Sequence, residues 1–323
     1  MHDTPAAPLK AKDRAYLALL QLLSRLPLPF LRRFGALLGR LAALPRQSRA
    51  VRTVARNLEL CYPGQTAAWR AAVLRANFVH TGMLTMEFAK IWGMPPDWTL
   101  GRITRVHNEQ LFHDAIAVGR GTIAIVPHFG TWEVMNPWLS QHVAPVIMYK
   151  PGKDAGVNAF VLAARSRLRT TLVPTDESGV RAVFKALRKN GFTAILPDHL
   201  PDASGGLHAP FFGINALTGT LVPKLVERTG CRVIVMHCLR TPEGFEMYFS
   251  EPDAGIYDAD TAIATAALNR TVEQVIAVDP AQYQWSYKRF RRSSDIDDPY
   301  LSPEKAARAA ARRQARQARQ TEG

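Results

Sequence analysis

Thr122-Ile123-Ala124-Ile125-Val126-Pro127, followed without a break by His128-Phe129-Gly130-Thr131-Trp132-Glu133, is the stretch that decides the fold. The β-branched run between Gly121 and Pro127 reads as a central strand of a parallel sheet, where both faces are covered and apolar residues need not alternate. Ligands of such sheets bind beyond the carboxyl ends of the strands. His128 therefore stands where a substrate arrives. Gly130 and Thr131 supply a turn and an N-cap for a helix carrying Trp132, Glu133 and Met135. A hydroxyl nucleophile needs a base that works near neutral pH, and histidine suits that task. On this reading Glu133, folded back by a loop-to-helix turn, fixes the imidazole tautomer and stabilises its charged form. The same six residues also fit a solvent-facing strand-end histidine followed by a first-turn glutamate that the helix dipole favours.

The pattern continues outward from this strand. Candidate strands at 146–149, 193–197 and 232–237 alternate with candidate helices at 157–168, 179–189 and 217–228. That is the order of an α/β layered sheet. The expected fold class is α/β: a mixed, mainly parallel sheet with helices on both faces, plus N-terminal membrane-associating helices. Residues 244–250 add an antiparallel edge, 261–278 one more helix, and 66–92 a long helix that Pro95-Pro96 ends. The domain reading is a helical membrane-associating segment over 1–45, an α/β domain over 46–302 and a basic low-complexity tail over 303–323.

With 323 residues, 47% of them hydrophobic, the chain is long enough to bury one large core. Cys61, Cys231 and Cys238 form no metal-ligand spacing, so they read as reduced thiols, and no metal site is expected. His237 lies inside the apolar run Val233-Ile234-Val235-Met236, where packing explains it. Residues 1–60 carry eleven Lys or Arg against three Asp or Glu, and 303–323 carry six against two, so the ends hold +12 of the net +14. The middle is nearly balanced. That distribution argues against a nucleic-acid groove through the folded domain and for an anionic membrane surface as partner. Residues 15–23 form a dense apolar helix and 30–44 a second, with Arg25, Arg32, Arg33 and Arg40 interrupting them. Neither reaches the roughly 20 apolar residues of a span, so a monotopic hairpin is expected. The same prolines and arginines interrupt any signal-peptide core. A soluble helical pair with its arginines on the wet face is the alternative.

Three further stretches bear on the site. Leu196-Pro197-Asp198-His199 ends its strand as His128 ends its own, which puts Asp198 on the same rim. His208-Ala209-Pro210-Phe211-Phe212-Gly213 reads as an aromatic loop feeding a helix start at Leu217-Thr218-Gly219-Thr220. Residues 280–292 interleave aromatics with Lys288, Arg289, Arg291 and Arg292, suited to phosphates and acyl chains or to a solvated face against the acidic 295–298 run.

This ordered set resembles the bacterial lipid A biosynthesis acyltransferases. The resemblance rests on the His-x4-Glu box at His128 and Glu133, and on Asp198 ahead of Pro210-Phe211-Phe212-Gly213. It also rests on Pro280-Ala281-Gln282-Tyr283-Gln284-Trp285, and on Asn57-Leu58 to Cys61-Tyr62-Pro63. It covers about residues 15 to 292. It implies an O-acyltransferase at the cytoplasmic face of the bacterial inner membrane, taking its chain from acyl carrier protein or coenzyme A to a hydroxyl of a lipid A precursor. His128 is then the general base and Glu133 its partner, while Arg165 and Arg167, with Asp198, bind substrate. Arg165 and Arg167 also fit a solvated helix end. No cofactor is implied beyond the acyl donor. The sequence departs from the family's pattern at His199, where glutamine is expected, and at Ser286-Tyr287-Lys288, where His-Arg is commoner. Acceptors other than lipid A precursors, such as another glycolipid or an amino-acid-containing lipid, stay open, as does a non-enzymatic membrane or nucleic-acid adaptor.

Overall fold

The computed structural model describes residues 9–302 together with 304, 305, 307 and 308. The expectation for the rest of the 303–323 tail lies outside the described residues. In chain order come helices α1 (Ala11–Arg25), α2 (Leu28–Ala42), α3 (Arg49–Cys61), α4 (Ala67–Gly93) and the short α5 (Pro96–Leu100), then strand β1 (Ile103–His107) and helix α6 (Glu109–Ala117). Next are β2 (Thr122–Ile125), α7 (Met135–His142), β3 (Val146–Tyr149), α8 (Ala155–Arg165), β4 (Thr171–Pro174), α9 (Glu177–Leu187) and β5 (Phe192–Ile195). A hairpin of β6 (Gly206–Phe211) and β7 (Ile214–Gly219) follows, then α10 (Leu221–Thr229), β8 (Arg232–Arg240), β9 (Phe245–Ser250) and α11 (Thr261–Val278).

The main sheet has the order β1-β9-β8-β2-β5. All its pairings are parallel except β8 with β9. The opening strand is therefore interior, between β8 and β5, with all four residues buried. Ile123 and Ile125 face one apolar cluster with Leu58 of α3, Val183 of α9, Leu225 of α10 and Val272 of α11. Ala124 and Val126 face the other, with Phe112 of α6 and Trp138 and Leu139 of α7. Two filled faces explain why the strand reads as a continuous apolar run.

The structure corrects two expectations and adds one strand. Residues 245–250 are antiparallel but not an edge, because β1 pairs parallel outside them. β1 went unread because its Thr104 and Arg105 face solvent and break any apolar run, as suits an edge. The aromatic stretch is a hairpin rather than a loop into a helix: Leu217–Gly219 belong to β7 and the helix starts at Leu221. Its two-residue turn needs positive φ at both Phe212 (50°) and Gly213 (77°). Phenylalanine is an unusual residue there, so the sequence gives no turn signal. Glu273 secures it by accepting the Phe212 amide at 2.7 Å.

The N-terminal helices pack on α4 and α8. α2 crosses α4 through glycines: a Cβ on Gly82 would lie 2.0 Å from the Gly35 carbonyl oxygen, and one on Gly39 2.2 Å from that of Phe78. Arg32 does not sit on a wet face. Its guanidinium is buried and donates to Glu87 of α4 and to the carbonyls of Thr241 and Gly244. The outward side of α1 and α2 carries exposed apolar residues among its cations, with Leu19, Leu22, Phe30, Leu37 and Leu41 each at least 49% exposed. No helix among the described residues is long and apolar enough to cross a membrane.

His237 is buried in the sheet, and neither ring nitrogen has a hydrogen-bond partner among the described residues. Burial, then the nearby His107, pushes its imidazole down to about 4. An unfolded chain takes up this proton near the ordinary value, about 6.5. Stability is therefore expected to fall as pH drops from there toward 4, by at most about 1.4 kcal/mol per pH unit from this group. Denaturant unfolding across that range should show a shallower slope in His237→Phe, and an unchanged slope would refute the assignment. Gly82→Leu, which forces α2 off α4, is expected to cost about 2–3 kcal/mol in the same measurement.

Candidate active site

The parallel pairing of β2 with β5 ends at Ile125 opposite Ile195. Three residues past each, at the carboxyl rim, stand His128 and Asp198. The His128 Nδ1 lies 2.9 Å from Asp198 Oδ1, and the His128 amide donates to Asp198 Oδ2 at 3.2 Å. Asp198 is buried while the imidazole is part-exposed. Burial alone would raise the Asp198 carboxyl; the charge and hydrogen bonds of His128 outweigh it and hold the group well below the usual carboxylate range. A carboxylate on Nδ1 leaves Nε2 free to act as base, the orientation that catalytic histidines require.

Glu133, the expected partner, is turned elsewhere. Gly130 has φ +59°, and a Cβ there would meet the Cys238 carbonyl oxygen at 1.9 Å, so the chain bends tightly against β8. Thr131 then donates its hydroxyl to Glu87 at 3.1 Å rather than capping the next helix. A 3₁₀ turn, Trp132–Val134, carries Glu133 toward α4 and α8. There its carboxylate accepts from Trp92 Nε1 at 3.0 Å, Asn136 Nδ2 at 2.9 Å and Arg165 at 2.9 Å. Arg165 also lies over the Tyr149 ring, and Arg167 donates to the Trp92 carbonyl. Glu133, Arg165 and Arg167 thus line one small crevice, separate from the histidine-aspartate pair.

Two residues that the sequence reading treated only as departures complete the His128 environment. The His199 ring stacks on His128 at 3.8 Å and 4°, and Tyr287 stacks on the far side of His199 at 3.8 Å and 10°. His199 Nε2 meets Gln284 Oε1 at 2.9 Å, and the Gln284 backbone N–H donates to the His128 carbonyl at 3.1 Å. Burial, then His128, pushes the His199 imidazole below its ordinary range. The ligand atoms of His128, Asp198 and His199 lie within 4.8 Å of one another, so these three are the described residues best placed to share a metal ion. A crevice of about 50 Å³ opens beside His128, Trp132, Tyr283 and Ser286.

Buried amides hold the 280–287 segment over this site. Asn77 donates to the carbonyls of Ala281 and Tyr283, and Asn57 to those of Trp285 and Tyr287. Asn57 therefore acts as a clamp. Of the four cations read in 280–292, Arg289 is buried on Leu217 and Thr218 of the hairpin, while Lys288 and Arg291 reach the surface.

A model of the bacterial lipid A biosynthesis acyltransferase family matches residues 6–292. The lipid A biosynthesis lauroyltransferase of Escherichia coli (strain K12) is 28% identical over 278 residues, covering 85% of this chain and 90% of that protein. A lipid A biosynthesis acyltransferase of Haemophilus influenzae is 29% identical over 286 residues, covering 85% and 89%. The phosphatidylinositol mannoside acyltransferase of Mycobacterium tuberculosis is 26% identical over 175 residues, covering 52% and 54%. The chain belongs to the bacterial lipid A biosynthesis acyltransferase family and is an O-acyltransferase.

The geometry separates two carboxylates. Asp198→Asn keeps the shape but removes the charge and leaves a single oxygen for both the His128 amide and Nδ1, so acyl transfer is expected to fall by about 100-fold or more with the fold intact by circular dichroism. Glu133→Gln leaves the half-buried Arg165 guanidinium without its counter-charge, so it is expected to lower unfolding stability by about 2 kcal/mol as well as to lower transfer. Equal stability of the two variants would sink this division of roles.

Proposed function

We propose that this chain moves a fatty acyl group from a thioester donor, acyl carrier protein or coenzyme A, to a hydroxyl of a lipid A precursor, with His128 as general base. The observation that carries this reading is the hydrogen-bonded His128–Asp198 pair on the substrate-facing rim of the sheet. The acceptor hydroxyl gives its proton to His128 Nε2 as its oxygen attacks the thioester carbonyl. The new C–O bond forms, the C–S bond breaks, and the departing sulfur takes the proton back from the imidazolium. Asp198 holds the tautomer. Glu133 fixes the Arg165 guanidinium, and Arg165 with Arg167 meets negative charge on the substrate or on the developing oxyanion. The reaction calls for no cofactor beyond the donor.

The exposed apolar side of α1 and α2 supports attachment to the cytoplasmic face of the bacterial inner membrane. Lys12, Arg14, Arg25, Arg33 and Arg40 are exposed beside those leucines and phenylalanines, the composition of an interfacial helix on anionic lipid. The partial match to a phosphatidylinositol mannoside acyltransferase favours, as the second reading, the same chemistry on another glycolipid.

Mass spectrometry of membrane lipids with and without the protein is expected to show an acyl-sized mass gain on a lipid A precursor. The gain should disappear in His128→Ala, and its persistence in that variant refutes the general-base role. On anionic vesicles, high salt is expected to release only part of the protein, because apolar insertion outlasts screening. Full release at moderate salt counts against the inserted hairpin.

A further inference from the structure

The surface cations of the 280–292 segment find a use beside the site. Lys288 and Arg291 line an open groove of about 500 Å³ with Arg49, Leu200, Ser286 and Tyr287. A smaller cleft of about 130 Å³ adjoins it through the shared Arg49 and Lys288 and brings in Arg52. Arg49 and Arg52 come from the first turn of α3 and the other two from a loop some 240 positions away in the chain, so tertiary folding gathers the four charges. Among the described residues, Arg49, Arg52 and Lys288 have no carboxylate within salt-bridge distance, and Arg291 has only Asp298 at 3.8 Å. Burial first, then Arg49, pushes the Lys288 amine below its ordinary range, and Asp298 opposes that shift only in part.

The groove is joined to the site in two ways. Ser286 lines both the groove and the crevice at His128. Tyr287, a groove wall, is two stacked ring spacings of 3.8 Å from the His128 ring. Arginine offers a fork of donors that matches phosphate oxygens, and lysine a movable point charge.

We propose that the Arg49, Arg52, Lys288 and Arg291 groove is a phosphate-binding subsite that anchors a substrate while its reacting group lies at His128. Two sources carry that chemistry, a phosphate on the lipid acceptor and the phosphate of a donor's pantetheine arm. Assigning the phosphate to a substrate rests on the acyl-transfer reading above. Equilibrium binding does not, so failure of one is distinguishable from failure of the other.

The test is titration calorimetry of the full chain with short-chain phosphatidic acid below its micellar range and, separately, with 4′-phosphopantetheine. Each is run against the protein and against Arg49→Gln/Lys288→Gln, with folding checked by circular dichroism. At least a tenfold weakening of one probe in the double variant, with inorganic phosphate competing in the parent protein, is expected and identifies the source. A milder variant, Lys288→Gln alone, is expected to fall between the two. Equal affinity of parent and double variant for both probes overturns the proposal.

Discussion

The pairing of two neighbouring parallel strands is the constraint on which the site depends. β2 and β5 run side by side in register to Ile125 and Ile195, so the residues three positions beyond each are forced into proximity. At one position the chain carries a histidine and at the other an aspartate, and they meet at 2.9 Å. Because the aspartate is buried at the sheet's rim, the pair is oriented by the fold itself rather than by flexible loops. The stack of His199 and Tyr287, and the Gln284 hydrogen bonds, then fix the ring from its other side.

A second constraint ties the periphery to that rim. Glu87 is fully buried and accepts from Arg32 of α2, Arg240 of β8 and the Thr131 hydroxyl. One carboxylate so links the first turn beyond His128 to α2, whose other side exposes apolar residues. Removing one member of such a buried cluster leaves the rest unpaired, which is costly. The arrangement accounts for the one arginine of α2 that is buried: Arg32 faces inward with Leu28, Leu31 and Ala36, while Arg33 and Arg40 are exposed with Phe30, Leu37 and Leu41. What sets α2 apart is that apolar side chains lie on both of its sides, packed inward and exposed outward.

The basic-aromatic segment shows how one stretch serves several purposes. Arg289 is structural, held under the hairpin; Trp285 and Tyr283 are core residues clamped through their carbonyls by Asn57 and Asn77; Lys288 and Arg291 remain at the surface. A 3₁₀ turn at Pro280–Gln282 and the successive turns after Trp285 send neighbouring side chains in different directions, which allows this. It also makes the segment resemble a single binding motif when only its composition is visible.

Much of the architecture was legible in order and composition, because burial on both faces forces β2 and β8 to be continuously apolar and because long helices repeat their apolar positions. β3 and α11 fall where the apolar pattern puts them. The N-terminal bounds of α4 follow from Thr66, whose hydroxyl caps it. β1 and the Phe212–Gly213 turn were not legible: an edge strand needs no apolar run, and a phenylalanine at positive φ carries no turn signal. The place of His128 at the carboxyl end of a buried strand was legible from strand and proline, whereas those residues alone fitted a solvent-facing histidine as well as a base. Its partner was not, since nearness in sequence favoured Glu133, five residues away, over Asp198, seventy away. Only the register of β2 on β5, with the tight bend at Gly130 that sends Glu133 to Arg165, decided between them. Sequence fixes which residues exist to do chemistry, whereas through-space pairing depends on strands whose neighbours are far apart along the chain.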